Sequence, residues 1–193
     1  MDNPVLECIR SRRSIRRYAP QQVEDDRLGA ILEAAAWAPS GSNSQSWHFL
    51  VIQNTEVLAT LNETLRKGFL RWTPDDDYPA KRSAVLAAQQ EHHNYFYHAP
   101  TLIIFSNLSS YQNAMADCSC AIENLFLAAH SLGLGTCWSN ALRWLRDDSG
   151  VRALLTPLGL PETHQICCAA TVGYPDHAPP APQRKKGVTS IIR

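Results

Sequence analysis

The chain has 193 residues, 45% of them hydrophobic and 19% charged, so it can hide roughly 70% of its extended-state surface without a disulfide or metal staple. That composition excludes long disorder and a collagenous or coiled-coil rod. Eighteen Lys plus Arg balance eighteen Asp plus Glu, so no global field recruits nucleic acid or an acidic membrane. Low charge density also points, weakly, to surface covered by another subunit. No apolar run approaches the ~18 residues of a membrane span, and the start Met1-Asp2-Asn3-Pro4 lacks the basic-then-apolar order of a secretory signal. The expectation is a cytoplasmic protein with one domain over residues 1–193. The six cysteines hold no C-x-x-C pair and no zinc spacing. They read as free thiols packed as small hydrophobes, with Cys137 the candidate for reactivity.

In chain order, Asn3-Pro4 is an N-cap and N1 pair for a first helix with Val5, Leu6 and Ile9 on its apolar side. Leu28, Ile31, Leu32 and Ala35 predict a second helix from Glu24 to Trp37, ended by Pro39. Phe49 to Ile52 reads as a buried strand, and Thr55 as the cap of a third helix through Leu61 and Leu65. Pro74 and the acids Asp75, Asp76 and Asp77 precede a helix-like stretch from Ala80 to Tyr97. Leu102 to Phe105 is a second strand. Ala114, Cys118, Ala121, Ile122, Leu125, Phe126, Ala129 and Leu132 keep helical spacing in a long central helix that Gly133 stops. A helix over Asp147 to Thr156 and a strand over Ile166 to Val172 follow. The Pro-rich tail is extended, and Val188 to Ile192 is placed to pair with a sheet edge. Helices mixed with short strands indicate an α+β fold.

Arg10-Ser11-Arg12-Arg13-Ser14-Ile15-Arg16-Arg17 puts five arginines in eight positions. Guanidinium forks grip phosphate oxygens, although a solvated basic face is the simpler reading of this segment alone. If the first helix continues, Arg12 and Arg16 share one side. Pro39 to Trp47 is a run of small polar residues able to grip a polar heterocycle, or an ordinary helix-to-strand turn. The Gly133-Leu134-Gly135 segment has Trp138 where a third glycine would complete a dinucleotide fingerprint, and it follows a helix, so a Rossmann site is disfavoured. His92, His93 and His98 have no partner at metal spacing, and no metal is expected.

These pieces occur in one order: Arg12-Arg13-Ser14-Ile15-Arg16, then Pro39-Ser40 with Asn43, Gln45 and Trp47, then Ala99-Pro100 before a strand. They continue with Gly133-Leu134-Gly135-Thr136-Cys137-Trp138, Gly173-Tyr174-Pro175 and Arg184-Lys185. In that order the chain resembles the FMN-dependent nitroreductase family over nearly its whole length. The resemblance implies a mixed sheet flanked by helices in an intertwined homodimer, with FMN at the subunit interface. It places Arg12, Arg13, Ser14, Arg184 and Lys185 on the cofactor, the arginines serving its phosphate. Arg16 would lie at the flavin N1 edge, where a fixed cation stabilises the negative charge of reduction. Pro39, Ser40, Gly41 and Asn43, with Gln45, would come from the partner chain, and the backbone of Asn140 and Ala141 would face flavin N5.

The activity so implied is hydride transfer through flavin N5 from NADH or NADPH to a small acceptor such as a nitroaromatic or quinone, in two half-reactions sharing one site. Relatives also dehalogenate aromatics, oxidise peptide-derived rings and break down flavin. A specialised flavoenzyme and an FMN storage or sensor protein are therefore the competing readings, followed by a basic interaction module. Three departures from the family pattern stand out: Ser46 where many members have Pro, His92-His93-Asn94 where many carry an Asn and a Lys that reach the flavin, and Asn140-Ala141 in place of an acid or glycine. Phe69, Trp72, Tyr78, Tyr95, Phe96 and Tyr97 suggest a flat, apolar acceptor pocket, unless part of them seals an interface.

Overall fold

A computed structural model describes residues 3–73, 78–177 and 179–193. The Met1-Asp2 start and the Pro74 to Asp77 run lie outside the described residues. Asn3 caps α1 (Pro4–Ser11), its side-chain oxygen accepting from the Val5 and Leu6 amides. Helix α2 spans Asp25–Ala36 and strand β1 spans His48–Ile52. Helix α3 covers Thr55–Leu70, and its cap is Asn54, not Thr55: the Asn54 side chain accepts from the Glu56 and Val57 amides. The stretch from Ala80 to Tyr97 is not one helix. Helix α4 runs only over Pro79–Ala88, because the Gln89 to Asn94 segment brings no recurring apolar residue to hold another turn.

Strand β2 spans Thr101–Leu108 and α5 spans Ala114–Ser131. Gly133 ends α5 in the left-handed region at φ 77, which lets the Leu134 amide reach back to the Ala129 carbonyl at 2.8 Å. Strand β3 (Gly135–Ser139) and the short α6 (Ala141–Trp144) follow, both additions to the sequence reading. Asp148 caps α7 (Ser149–Leu155), and β4 spans His164–Gly173.

The strands form one sheet in the order β1-β2-β4-β3, every neighbouring pair antiparallel. Its parallel component is a single bridge, Ser14 to Thr136. Successive residues of β2 face opposite sides. Leu102 and Ile104 meet Leu61, Leu65, Phe69 and Leu142 under α3, α4, α6 and α7. Ile103 and Phe105 meet Ile31, Ala35, Ile122 and Leu125 from α2 and α5. The sheet is therefore the middle of three layers.

Phe105 pairs with Cys168 and Ser106 with Ile166, so Cys167 is the extra residue of a bulge. This turns both cysteines toward α5. All six thiols are free, and Cys120 is exposed where burial was expected. Two apolar segments also stay unburied. Helix α1 has no buried residue, with Val5 61% and Ile9 47% exposed. Val188 to Ile192 pairs with no edge in this chain, and Ile192 is 97% exposed. No helix of the described residues is long and apolar enough to cross a membrane.

Candidate functional site

The arginine-rich segment leaves α1 at Arg12, whose ψ of 137 breaks the helix. Arg12 and Arg16 thus do not share a helical face. The chain instead runs extended along the free edge of β3, with the Ile15 amide donating to the Thr136 carbonyl at 2.8 Å. It continues antiparallel to the exit of β4, the Ala19 amide donating to Tyr174 and the Asp176 amide to Arg17. In such a strand Ile15 turns inward, 4% exposed, while Arg16 and Arg17 turn out. Tyr18 pins the arm, its hydroxyl donating to the Ile15 carbonyl at 2.7 Å and lying 2.8 Å from Thr171 Oγ1. Burial pushes that hydroxyl well above its ordinary pKa.

Arg12 lies over the Phe126 ring at 5.6 Å with Glu123 3.9 Å away. Arg13 donates to the Arg10 and Arg12 carbonyls. Arg16 sits 5.7 Å from the centre of the Tyr97 ring and faces Cys137. Burial pushes the Cys137 thiol up, and Arg16 is the strongest opposing influence. A buried thiol held in that direction behaves as a packing residue, the simpler of the two readings of Cys137.

Arg16 also walls a cleft of 320 Å³ shared with Trp138, Ser139, Asn140, Ala141 and Trp144. Trp138 Nε1 donates to Asn140 Oδ1 at 2.8 Å, fixing the indole beside the start of α6. The first amides of a helix have no partner inside it, so Ala141 and the residues after it bring unspent donors to the β3–α6 junction. Tyr95 and Tyr97 close the cleft from the side of α4. Phe69 and Phe96 do not: they are 0% and 2% exposed, and Phe69 packs on Trp72 and Tyr95 in the core.

The loop after α2 lies elsewhere. Gly41 to Asn43 form a tight turn, with Ser42 and Asn43 at φ 53 and Gln45 at φ 46. The Gly41 amide donates to both Asp117 carboxylate oxygens, at 3.2 and 3.3 Å, and Tyr111 Oη donates to the Gly41 carbonyl. Ser40 Oγ accepts from the Gln45 amide, and Gln45 Nε2 donates to Asn43 Oδ1. Asp117 and Phe126 are nine residues apart on α5, about 13 Å along its axis. One chain therefore gathers Arg16, Asn140 and Ala141 at the cleft, with Arg12, Arg13 and Ser14 on the arm beside it. Pro39, Ser40, Gly41, Asn43 and Gln45 do not wall that cleft, nor do Arg184 and Lys185, which lie in the exposed tail.

Asp117, Trp138 and Trp144 are the residues sequence reasoning missed. Asp117 is 5% exposed and tethers the loop. Asp117→Ala is expected to cost about 1.5–3 kcal/mol, the worth of hydrogen bonds to a charged acceptor, and to expose the Ser40 to Gln45 loop to proteolysis. Asp117→Asn keeps an acceptor and is expected to recover most of the loss. Equal melting temperatures and cleavage rates for all three proteins would show that the tether is idle.

Solved structures share this fold. A nitroreductase from Bacteroides fragilis, solved with bound FMN, matches with a TM-score of 0.91 and 42% identity over 100% of both chains. A nitroreductase with bound FMN from Desulfitobacterium hafniense matches at 0.85 and 28% identity, again over 100% of each. The fold is thus that of flavin-binding nitroreductases. The Nitroreductase family description matches residues 9–174, and the chain belongs to that family. A protein of Archaeoglobus fulgidus whose name carries the words NADH dehydrogenase/NAD(P)H nitroreductase is 33% identical over 170 residues, 88% of this chain and 84% of that one.

Proposed function

We propose that the protein is an FMN-dependent NAD(P)H oxidoreductase that works in the cytoplasm as a homodimer of single-domain chains. The observation that carries the reading is the meeting of Arg16 with the amide end of α6 in one cleft. The donor set fits FMN: a fixed cation for the N1 edge, backbone N–H groups at Asn140 and Ala141 for N5, and indole walls for a flat ring. When bound, FMN supplies hydride chemistry between a reduced nicotinamide and a small acceptor such as a nitroaromatic or quinone.

The protein's part is to bind and orient. Arg12, Arg13 and Ser14 offer donors along the arm for the phosphate end. Arg16 keeps a positive charge at the edge where negative charge collects. Trp138 and Trp144 exclude water from one side of the cleft.

A second copy supplies what one chain leaves distant. The unburied stripe Val5, Leu6 and Ile9 on α1 and the exposed Ile191 and Ile192 of the tail are apolar surface suited to a subunit interface. There the Pro39 to Gln45 loop and the Arg184-Lys185 tail of one protomer complete the cofactor site of the other.

The test is the visible spectrum of the purified protein, followed anaerobically as NADH and then NADPH are added. Bleaching by either, with recovery on a quinone or nitroaromatic, supports the reading. A colourless protein that takes up no FMN overturns it. Arg184→Ala is expected to weaken FMN retention by about 1.5 kcal/mol, the low end for a charge-assisted hydrogen bond, or roughly tenfold in dissociation constant. Full flavin content in that variant would remove the tail from the site.

A further inference from the structure

Beside the cleft of Arg16 and α6 lies a larger hollow of 680 Å³. Arg16, His93 and Tyr97 wall both spaces, so the two adjoin. The rest of the hollow carries His92 and His98 on one side and Arg17 and Tyr18 on the other. Its shape depends on a strained turn. Tyr97 and His98 are consecutive side-chain-bearing residues in the left-handed region, both at φ 56, a state that persists only where the surroundings impose it.

Here they do. Asn94 Oδ1 accepts from the Phe96 and His98 amides at 2.9 and 3.1 Å. Asn62 grips the same segment, donating to the His93 carbonyl and accepting from the Tyr95 amide.

The charges around the hollow are unevenly spent. Arg17 is paired with Asp176 at 3.1 Å, whereas Arg66 is held by Glu63 and leaves Glu91 as a carboxylate on the rim of the hollow. Arg16 has no carboxylate partner among the described residues; it faces Tyr97 and Cys137. The Arg16 guanidinium, three imidazoles and the Tyr97 ring therefore outweigh Glu91 around the hollow, while the Tyr18 hydroxyl is spent on Ile15 and Thr171. Desolvation holds His93, whose ring packs edge-on against Tyr95 at 4.6 Å, below the usual histidine range. Burial thus keeps this ring neutral to lower pH than a free imidazole, and a bound anion favours its charged form.

We propose that this hollow is an oxyanion subsite of the same active centre, seating the carboxylate of an aromatic acceptor or a phosphate of the nicotinamide donor. It rests on the oxidoreductase reading, and it gives that centre a preference for charged over neutral ligands of equal shape.

The test uses the FMN-loaded protein and its His92→Gln/His98→Asn double variant. Asn is chosen at position 98 because it tolerates left-handed backbone. Two ligand pairs separate the sources: 4-nitrobenzoate against its methyl ester, and reduced nicotinamide mononucleotide against the reduced riboside. In one pair the charged member's advantage in kcat/KM is expected to fall about tenfold in the variant. A fall in the first pair assigns the subsite to the acceptor's carboxylate, and a fall in the second to the donor's phosphate. Unchanged ratios in both overturn the proposal. Benzoate titration followed by histidine ring-proton NMR reads the subsite without turnover. A benzoate-dependent shift of the His93 signal in the wild type that is lost in the variant upholds it even if no NAD(P)H is oxidised, and no shift of the hollow's histidines in the wild type overturns it.

Discussion

Gly135→Val is expected to destabilise the protein by about 1–3 kcal/mol, the usual range for forcing atoms into a filled site, and to reduce its flavin content. A Cβ at residue 135 would meet Ile15 Cγ1 at 2.7 Å and Ile15 Cβ at 2.9 Å. Real contacts do not come that close, so one side must move. Ile15 is the inward anchor of the arm, and Gly135 pairs with Gly173 across the sheet, so the strand cannot retreat without disturbing β4. Gly173 is itself pressed by the Pro100 and Tyr18 rings. The arm is what yields, and with it Ser14 and Arg16. Ile15→Gly removes both atoms that the introduced valine would strike, so the double variant is expected to be more stable than the sum of the single losses predicts. Strictly additive losses in chemical denaturation would place the strain elsewhere. A destabilised variant with undiminished flavin would show that the arm's position does not govern the cofactor.

This coupling was only partly legible in the sequence. The long helix, the buried strands and the Asn3-Pro4 start rest on local patterns, and the fold contains them. Strand β3 was hidden because Gly135 to Ser139 follows a helix stop by one residue and is half small residues, so it has neither alternation nor a continuous apolar run. Helix α6 is four residues long, too short to show any period. Arg12 and Arg16 were spaced for a helix, but the β3 edge captures the chain after Arg12, and no local signal announces a tertiary edge. The aromatic stretch shows the same limit: Tyr97 reaches the cleft and Phe96, one residue earlier, fills the core, because a left-handed turn separates them. One sign was readable. Asp117 interrupts the apolar row Ala114, Cys118, Ala121, and an acid on such a stripe must have a partner; here it is the Gly41 amide of the loop.

Arg16→Ala is expected to lower the two-electron midpoint potential of the FMN-loaded protein by about 30–60 mV. The physical basis is a single charge-assisted contact, about 1.5–3 kcal/mol, which for two electrons corresponds to that span at 30 mV per 1.4 kcal/mol. Retention of oxidised FMN is expected to change less, because a cation at the N1 edge discriminates between the oxidised and the negatively charged reduced forms, whereas the phosphate contacts proposed for the arm would not. The position supports such a role. Arg16 is held by backbone bonds on both sides, Ile15 to Thr136 and Arg17 to Asp176, while its guanidinium is free of carboxylates among the described residues. A cation whose charge is unspent and whose backbone is fixed stabilises developing negative charge without reorganising. Arg16→Lys keeps the charge but loses the planar fork, so it is expected to recover part of the potential. Recovery in Lys but not Ala would assign the effect to charge. A midpoint unchanged in Arg16→Ala would move Arg16 away from the flavin edge and leave it to the neighbouring hollow alone. A shift equal in both variants would make geometry, not charge, the cause.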